Sequence, residues 1–564
     1  MSTSVADDPR YLEMLKATEL LTAPGQPYEM VEETVLGERV AVLCRRPRSL
    51  RQVLLDGCAA FGQDDCYVFD DGERITFSQL NGLVASVATA LRERYGIGPG
   101  DRVAICAANC PEWLLTFWAV ASLNAVVVAM NGWWTAVEMR NAINLTEPSV
   151  LLMDEKRLAR LDGDAGVPVI LIERDFADLA RNPNASLPDP PIAEDDPFML
   201  IFTSGTTGRP KAATLSNRTV IGYVQLQLFM QDRGMVMAGV TRGGAPPSVR
   251  LSPYPLFHVS GMGTAVSTVM AGGKTVWPLG RFEPSRIVDL TLRENVAFWS
   301  GGTTHIARLL DSPHIERVPT SQILGIGVGG SATTPDIMRR IAVRFPHLAM
   351  STSTGYGSTE TGGLASWAPN WMLRAVPGCV GPLLPTVSAR ITDDQGAELP
   401  EGAEGNIEIR SALTMLGYWR NDAANQETIL PGRWVVSGDF GRLEDGILTI
   451  ASRRRDLIIR GGENIYPFEV EDRLEEHPEV VEAAVFGVDD ATYGQTVKAV
   501  VVVGAGSELD PGVLLEFCAE TLSSYKVPAV VEIRTTPLPR NATGKVMKHV
   551  IAGTSASAFI DEDG

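Results

Sequence analysis

Phe202-Thr203-Ser204-Gly205-Thr206-Thr207-Gly208-Arg209-Pro210-Lys211 is the stretch on which the reading of this chain turns. It follows Phe198-Met199-Leu200-Ile201-Phe202, an apolar run that reads as a buried strand. A strand that ends in a Gly/Ser/Thr loop closed by a lysine is suited to holding phosphate. Glycines let backbone N–H groups converge on an anion, hydroxyls add donors, and Lys211 adds charge. The spacing is not the Walker pattern, which needs four residues between its glycines and Lys-Ser/Thr after the second. Taken alone, the stretch reads equally as a surface loop.

Composition bounds the rest. The chain has 564 residues, too many for one ordinary domain, and 45% of them are hydrophobic, ample for a packed core. Lys+Arg number 49 against 68 Asp+Glu, a net charge of -19. That argues against nucleic acid or an anionic membrane as the main partner, while a local cationic nucleotide site stays compatible with it. Seven scattered cysteines form neither a Cys-x-x-Cys pair nor a metal-ligand spacing. They read as reduced thiols of a cytoplasmic protein. The acidic N-terminus has no signal-peptide core. The apolar run from Trp113 to Met130 is long enough to suggest a membrane span, but Thr116, Ser122 and Asn124 interrupt it. It reads better as βαβ: strand Val103–Cys106, a helix opened by Pro111, and strand Ala125–Ala129.

The first 50 residues read as irregular, with a helix at Tyr11–Leu21. Helix-like and strand-like segments then alternate, with short strands at Val169–Leu171, Ala297–Trp299 and Leu324–Val328. This is the rhythm of open α/β sheets, whose ligands bind beyond the strand ends. Gly405–Tyr418 and Arg433–Ile450 are more β-rich. After the basic cluster at 453–455 the texture becomes a compact α+β segment, in which Pro467 starts a helix. The expectation is an α/β fold: residues 1–453 as a large domain of packed sheets with a β-rich subdomain, and 454–564 as a small α+β domain.

Further motifs carry chemistry. In Gly355-Tyr356-Gly357-Ser358-Thr359-Glu360, flanking glycines let backbone approach a ligand and Tyr356 offers a face to a purine. Thr359 can donate to a phosphate, and Glu360 is a hard oxygen ligand for Mg2+. Gly329-Gly330-Ser331 follows a strand, and Ser437-Gly438-Asp439 presents a carboxylate able to accept both hydroxyls of a ribose. Each alone could be an ordinary turn. Pro539-Arg540-Asn541-Ala542-Thr543-Gly544-Lys545 ends in a lysine that could equally be a surface residue.

In this order, over roughly residues 50–550, the motifs resemble those of the adenylate-forming enzymes: acyl-CoA synthetases, luciferases and the adenylation domains of peptide synthetases. The similarity is greatest to acyl-CoA synthetases. The resemblance implies ATP, Mg2+ and coenzyme A as ligands and a carboxylic acid as substrate. It assigns Thr203, Ser204, Gly205, Thr206, Thr207, Gly208 and Lys211 to the phosphates, with Thr206 and Glu360 near the metal. Gly329, Gly330, Ser331, Gly355, Tyr356, Gly357 and Thr359 would surround the nucleotide. Asp439 and Arg453 would meet the ribose. Arg455 would be the hinge of a mobile small domain, Gly461-Gly462-Glu463 its coenzyme A-facing loop, and Lys545 its catalytic lysine. His258, Val259 and Gly261, with Trp299, Gly301, Gly302 and Thr354, would line the acyl pocket.

This chain departs from the family pattern in places. Thr354 stands where an amide residue is common, Ser437 where threonine is, and Arg455 where aspartate or lysine is. His258 occupies the place of the aspartate that binds the amine in amino-acid-activating relatives, so a hydrophobic acid is expected: fatty, aryl or bulky polycyclic. An acyl carrier protein as acceptor and a homodimer both remain compatible with the sequence. So do a luciferase-like oxygenase and a nucleotide-binding regulator without catalysis.

Overall fold

The computed structural model describes residues 5–161, 163–203, 210–240, 248–329, 335–348, 352–376, 378–453, 456–460, 463–490, 492–504, 506–540 and 546–553. Among them the strands form one hairpin and four larger sheets. A seven-stranded sheet runs in the order 417–418, 211–216, 197–203, 126–129, 102–106, 150–153, 169–171. An eight-stranded sheet has at its centre the parallel strands Val249–Leu251, Lys274–Trp277, Phe298–Gly302 and Gly325–Gly329. The β-rich segment is a six-stranded antiparallel sheet over residues 379–453. Residues 458–534 supply a separate five-stranded sheet, covered by the helices Pro467–Glu475 and Pro511–Ala519.

The long apolar run resolves as expected into βαβ. Arg102–Cys106 and Val126–Ala129 pair in parallel, and Pro111–Ser122 is the crossover helix. That helix is buried on nearly every face. Trp118 Nε1 donates to Tyr67 Oη of the eight-stranded sheet (3.1 Å), while Phe117 meets Phe198 of the seven-stranded sheet edge to face, at 5.1 Å. A helix apolar all round belongs between two layers, and this one fills the space between the sheets. No helix among the described residues is long and apolar enough to cross a membrane.

The N-terminal region is more regular than its sequence suggests. The expected helix is present as Pro9–Thr22. It is followed by an antiparallel hairpin, Met30–Val35 with Glu38–Leu43. Its turn, Leu36-Gly37, has φ of 51° and 90°. This lacks the Asn-Gly or Asp-Gly signature of tight hairpins, and Glu32, Glu33 and Glu38 dilute the strand signal.

The hairpin is anchored by buried charge. Arg46 sits between Glu33 (2.6 Å) and Glu194 (2.9 Å). Arg218 pairs through Nε with Asp195 (2.6 Å), and its Nη1 lies 2.6 Å from Glu194 in ion contact, not aligned for a hydrogen bond. The side chains of Arg46, Arg218 and Glu194 are 4%, 8% and 9% exposed, so removing one partner leaves charge without solvent. Glu194→Ala is expected to destabilise by about 2 kcal/mol, below the usual figure for a broken buried pair because each arginine keeps a second carboxylate. Urea denaturation measures it; a change under about 0.5 kcal/mol, the surface-substitution range, would contradict this account.

Candidate active site

The phosphate-loop stretch joins two antiparallel strands. Pro197–Thr203 and Lys211–Ser216 pair so that Thr203 faces Lys211 across the ladder. Ser204, Gly205, Thr206, Thr207 and Gly208 lie outside the described residues. The ends of the loop are therefore fixed as neighbours, with Lys211 at the mouth. Its Nζ lies 5.0 Å from the ring centroid of Tyr418. Tyr418 Oη in turn donates to Glu360 Oε1 at 3.0 Å. Burial, and then the nearby Glu360 charge, raise the phenol pKa, so Tyr418 stays protonated and remains a donor.

Tyr418 is a site residue that the sequence motifs did not flag. It sits on the short strand Gly417–Tyr418, which pairs with the strand after the phosphate loop. Asn425 holds its backbone from both sides: Tyr418 N donates to Oδ1 (2.6 Å) and Nδ2 donates to Tyr418 O (3.1 Å). A Gly-Tyr-Trp triplet in a β-rich segment was the available signal, and it resembles packing.

The second centre is Tyr356 with Asp439. Tyr356 ends the strand Ser353–Tyr356, and its hydroxyl donates to Asp439 Oδ2 at 2.8 Å. Asp439 is 5% exposed. Its backbone N–H donates to Ser437 Oγ (3.1 Å), and Ser437 Oγ donates to Ile407 O (2.8 Å). Gly438, at φ +76°, makes the bend between them. The serine in place of threonine thus keeps the hydroxyl that shapes this turn. Across the ladder Asp439 faces Arg453, of which only the backbone is described. The hydroxyl bond fixes the plane of Tyr356 beside the carboxylate.

Glu360 and Thr359 lie on a turn braced from within. Ser358 N donates to Thr361 Oγ1 (2.8 Å), Gly363 N to Ser358 O (2.7 Å) and Gly362 N to Thr359 O (3.3 Å). A Cβ on Gly357 would stand 2.6 Å from Gly363 O, so the turn closes only over glycine. Gly355 is similarly close to Leu364. Gly329 ends its strand, whereas Gly330 and Ser331 lie outside the described residues. Among the described residues no three His/Cys/Asp/Glu side chains form a cation cage. Magnesium is usually held by one or two carboxylates plus substrate phosphates, which Glu360 beside the phosphate loop can provide.

The acyl-side residues divide. His258 precedes the helix Val259–Ala271, its ring 4.6 Å from Phe257. Among the described residues its Nε2 is buried without a partner, and burial lowers its pKa to about 4. The imidazole is neutral at neutral pH. Gly261 packs against Pro255 O, and Val259 lies against Gly363 of the nucleotide turn. Thr354 is half-buried in the strand of Tyr356. Trp299 is placed differently from expectation. It is 2% exposed, its Nε1 donates to Thr291 Oγ1 (2.9 Å) and its ring meets Phe345. It is core between strand and helices, not an open wall. Gly301 shares that strand face, against His305 and Ile306, and Gly302 N donates to His305 Nδ1 (3.2 Å).

Asn109 is another residue that the motifs did not flag. Its Nδ2 donates to Tyr254 O and its Oδ1 accepts from Leu256 N, both at 2.9 Å. One amide clamps the segment that delivers Phe257 and His258. On the ligase expectation that the motifs raise, Asn109→Ala should lower kcat/KM for the acid about tenfold, since small misplacements of pocket residues are costly. KM for ATP should stay within about twofold, and Asn109→Asp, which keeps the acceptor, should fall between. Equal loss toward both substrates would assign Asn109 a general structural role.

In the small domain Glu463 begins the strand Glu463–Ile465 and faces Arg460. Arg455, Gly461, Gly462 and Lys545 lie outside the described residues. Just beyond that loop, Tyr466 Oη donates to Glu404 Oε2 at 2.6 Å, and its ring stacks on Phe440 at 6.2 Å. The small domain therefore touches the large one next to Asp439.

Comparison with known proteins bears on the whole chain. The AMP-binding enzyme family profile matches residues 55–419, and the AMP-binding enzyme C-terminal domain profile matches 469–545. An indoleacetate–CoA ligase of Aromatoleum aromaticum is 30% identical over 84% of this chain and 92% of its own length. A 2-succinylbenzoate–CoA ligase of Bacillus licheniformis is 32% identical over 86% and 96%. The crystal structure of ATP-bound MatB from Rhodopseudomonas palustris superposes with a TM-score of 0.79 at 29% identity, over 90% of this chain and 99% of that one. With two profiles in chain order and relatives matched nearly end to end, the chain belongs to the AMP-binding enzymes, the adenylate-forming family.

Proposed function

We propose that the protein is an ATP-dependent, AMP-forming acyl-CoA ligase acting on a hydrophobic carboxylic acid. The observation that carries this reading is the convergence of three groups on one site: the two ends of the phosphate loop, the Tyr418–Glu360 pair and the Tyr356–Asp439 pair. The CoA-ligase relatives support the acid–thiol assignment. Neutral His258 offers no counter-charge to an amine, which favours an acid without an α-amino group.

In the first half-reaction a carboxylate oxygen of the acid attacks the α-phosphorus of ATP. The bond from that phosphorus to the bridging oxygen breaks, giving acyl-AMP and pyrophosphate. A carboxylate is already an adequate nucleophile, so catalysis is positioning and charge stabilisation. Asp439 accepts the ribose hydroxyls and Tyr356 faces the adenine. Thr203 to Lys211 hold the departing phosphates, and Lys545 meets the charge building at the α-phosphate. Glu360, oriented by Tyr418, would hold magnesium, which when bound neutralises phosphate charge. In the second half-reaction the small domain, residues 454–564, turns about Arg455 and presents Gly461-Gly462-Glu463. The thiol of coenzyme A, losing its proton, attacks the acyl carbonyl; the thioester forms and AMP leaves. We place this chemistry in the cytoplasm, where ATP and coenzyme A are supplied.

The test is a panel of fatty, aryl and fused-ring acids with ATP, reading pyrophosphate and thioester with and without coenzyme A. Acid-dependent pyrophosphate, with thioester only when coenzyme A is present, is expected. Pyrophosphate without thioester formation would favour a separate acyl carrier protein as acceptor. No acid-dependent pyrophosphate from any acid would remove the ligase reading.

A further inference from the structure

Tyr223 lies on the helix Asn217–Met237, outside every motif discussed so far. Its ring is wedged between two glycines of different elements. A Cβ on Gly263 would stand 2.3 Å from Tyr223 Cε1, and one on Gly363 would stand 2.6 Å from Cδ2. The two glycines thus touch opposite edges of one ring. Gly263 belongs to the helix that follows His258 and lies one turn beyond Val259. Gly363 closes the turn that carries Glu360, and its missing side chain would also stand 2.9 Å from Val259 Cγ1. The next residue back repeats the arrangement: Gly222 packs on Leu413, whose carbonyl abuts Gly362. Both ring contacts admit only glycine, so the wedge is built in from three segments at once.

Resting on the ligase reading above, we propose that Tyr223 is the end wall of the acyl pocket and sets the depth of acid it accepts. An acyl group held at the α-phosphate has to run between the nucleotide turn and the Val259 helix. The phenol ring fills the gap between these two elements. A linear chain of more than a few carbons has no path past it, whereas a compact aryl or fused-ring acid ends against it. Tyr223 is 7% exposed, and burial alone raises its pKa, to about 12. The substrate class is therefore a compact cyclic carboxylic acid.

The experiment compares wild type with Tyr223→Ala and Tyr223→Phe. It uses hexanoate, dodecanoate and phenylpropanoate, and reads kcat/KM by pyrophosphate release. Tyr223→Ala is expected to raise the dodecanoate-to-phenylpropanoate ratio at least tenfold, as pocket depth discriminates by about that factor per methylene or more. Tyr223→Phe keeps the wedge and should leave that ratio unchanged. A general packing role would lower all three rates together and leave the ratio unmoved. If Tyr223→Ala does not fold, Tyr223→Leu reads the same depth. An active wild type with unchanged chain-length ratios in the alanine or leucine variant overturns the inference. An inactive wild type on every acid overturns the ligase reading instead.

Discussion

Lys545→Ala is expected to abolish acid-dependent pyrophosphate release while leaving the conversion of supplied acyl-AMP and coenzyme A to thioester nearly intact. Lys545 is assigned to the first half-reaction alone. There the α-phosphorus gains negative charge as the carboxylate arrives, and a fixed ammonium stabilises that charge more than it stabilises bound ATP. Removing one such preorganised group typically lowers kcat by about 10²–10³. Thiol attack on a carbonyl builds charge elsewhere, after the domain carrying Lys545 has turned away. Single-turnover assays of each half-reaction separate the two. Loss of both would mean that Lys545 holds the small domain in place for each step; loss of neither would remove it from the chemistry.

Asp439→Ala is expected to reduce kcat/KM for ATP by about 10²–10³, with KM for the acid changed less than threefold. A buried carboxylate that accepts two ribose hydroxyls contributes about 1.5–3 kcal/mol per charge-assisted hydrogen bond. The substitution also strands the Tyr356 hydroxyl, which donates to Asp439 Oδ2 at 2.8 Å. The ring proposed to face the adenine then loses its tether. Asp439→Asn keeps the shape and should lose roughly tenfold, the charge-assisted part of those bonds. Isothermal titration with ATP and steady-state kinetics in both substrates check the assignment. An unchanged ATP affinity in the alanine variant would place the ribose elsewhere.

Much of this was legible in the sequence because it rests on local chemistry. Glycine-bounded turns, a strand before a hydroxyl-rich loop and a proline at a helix start carry their geometry with them. The sequence could not show which face of a strand meets the site. Phe298–Gly302 is paired on both sides within its sheet, and Trp299 and Ser300 look equally suited to a pocket until the sheet is assembled. Trp299 then turns to the core, hydrogen-bonded to Thr291. Tyr418 and Asn109 escaped for another reason. Their partners, Glu360 and the carbonyl of Tyr254, lie 58 and 145 residues away, and no local pattern announces a contact made at that range. The Met30–Leu43 hairpin was hidden by glutamates on its strands and by a turn without the usual residues.

The contact of Tyr466 with Glu404 and Phe440 has a consequence for the timing of turnover. It joins the two domains beside the ribose carboxylate, so the proposed swing of the small domain has to break it. A hydrogen bond to a carboxylate and a ring stack together hold about 2 kcal/mol or more. That biases the two orientations by roughly thirtyfold, at 1.4 kcal/mol per factor of ten. Such a latch is strong enough to keep one orientation dominant and weak enough to open in every cycle. Under the proposed rotation its strength would gate the second half-reaction without touching either substrate.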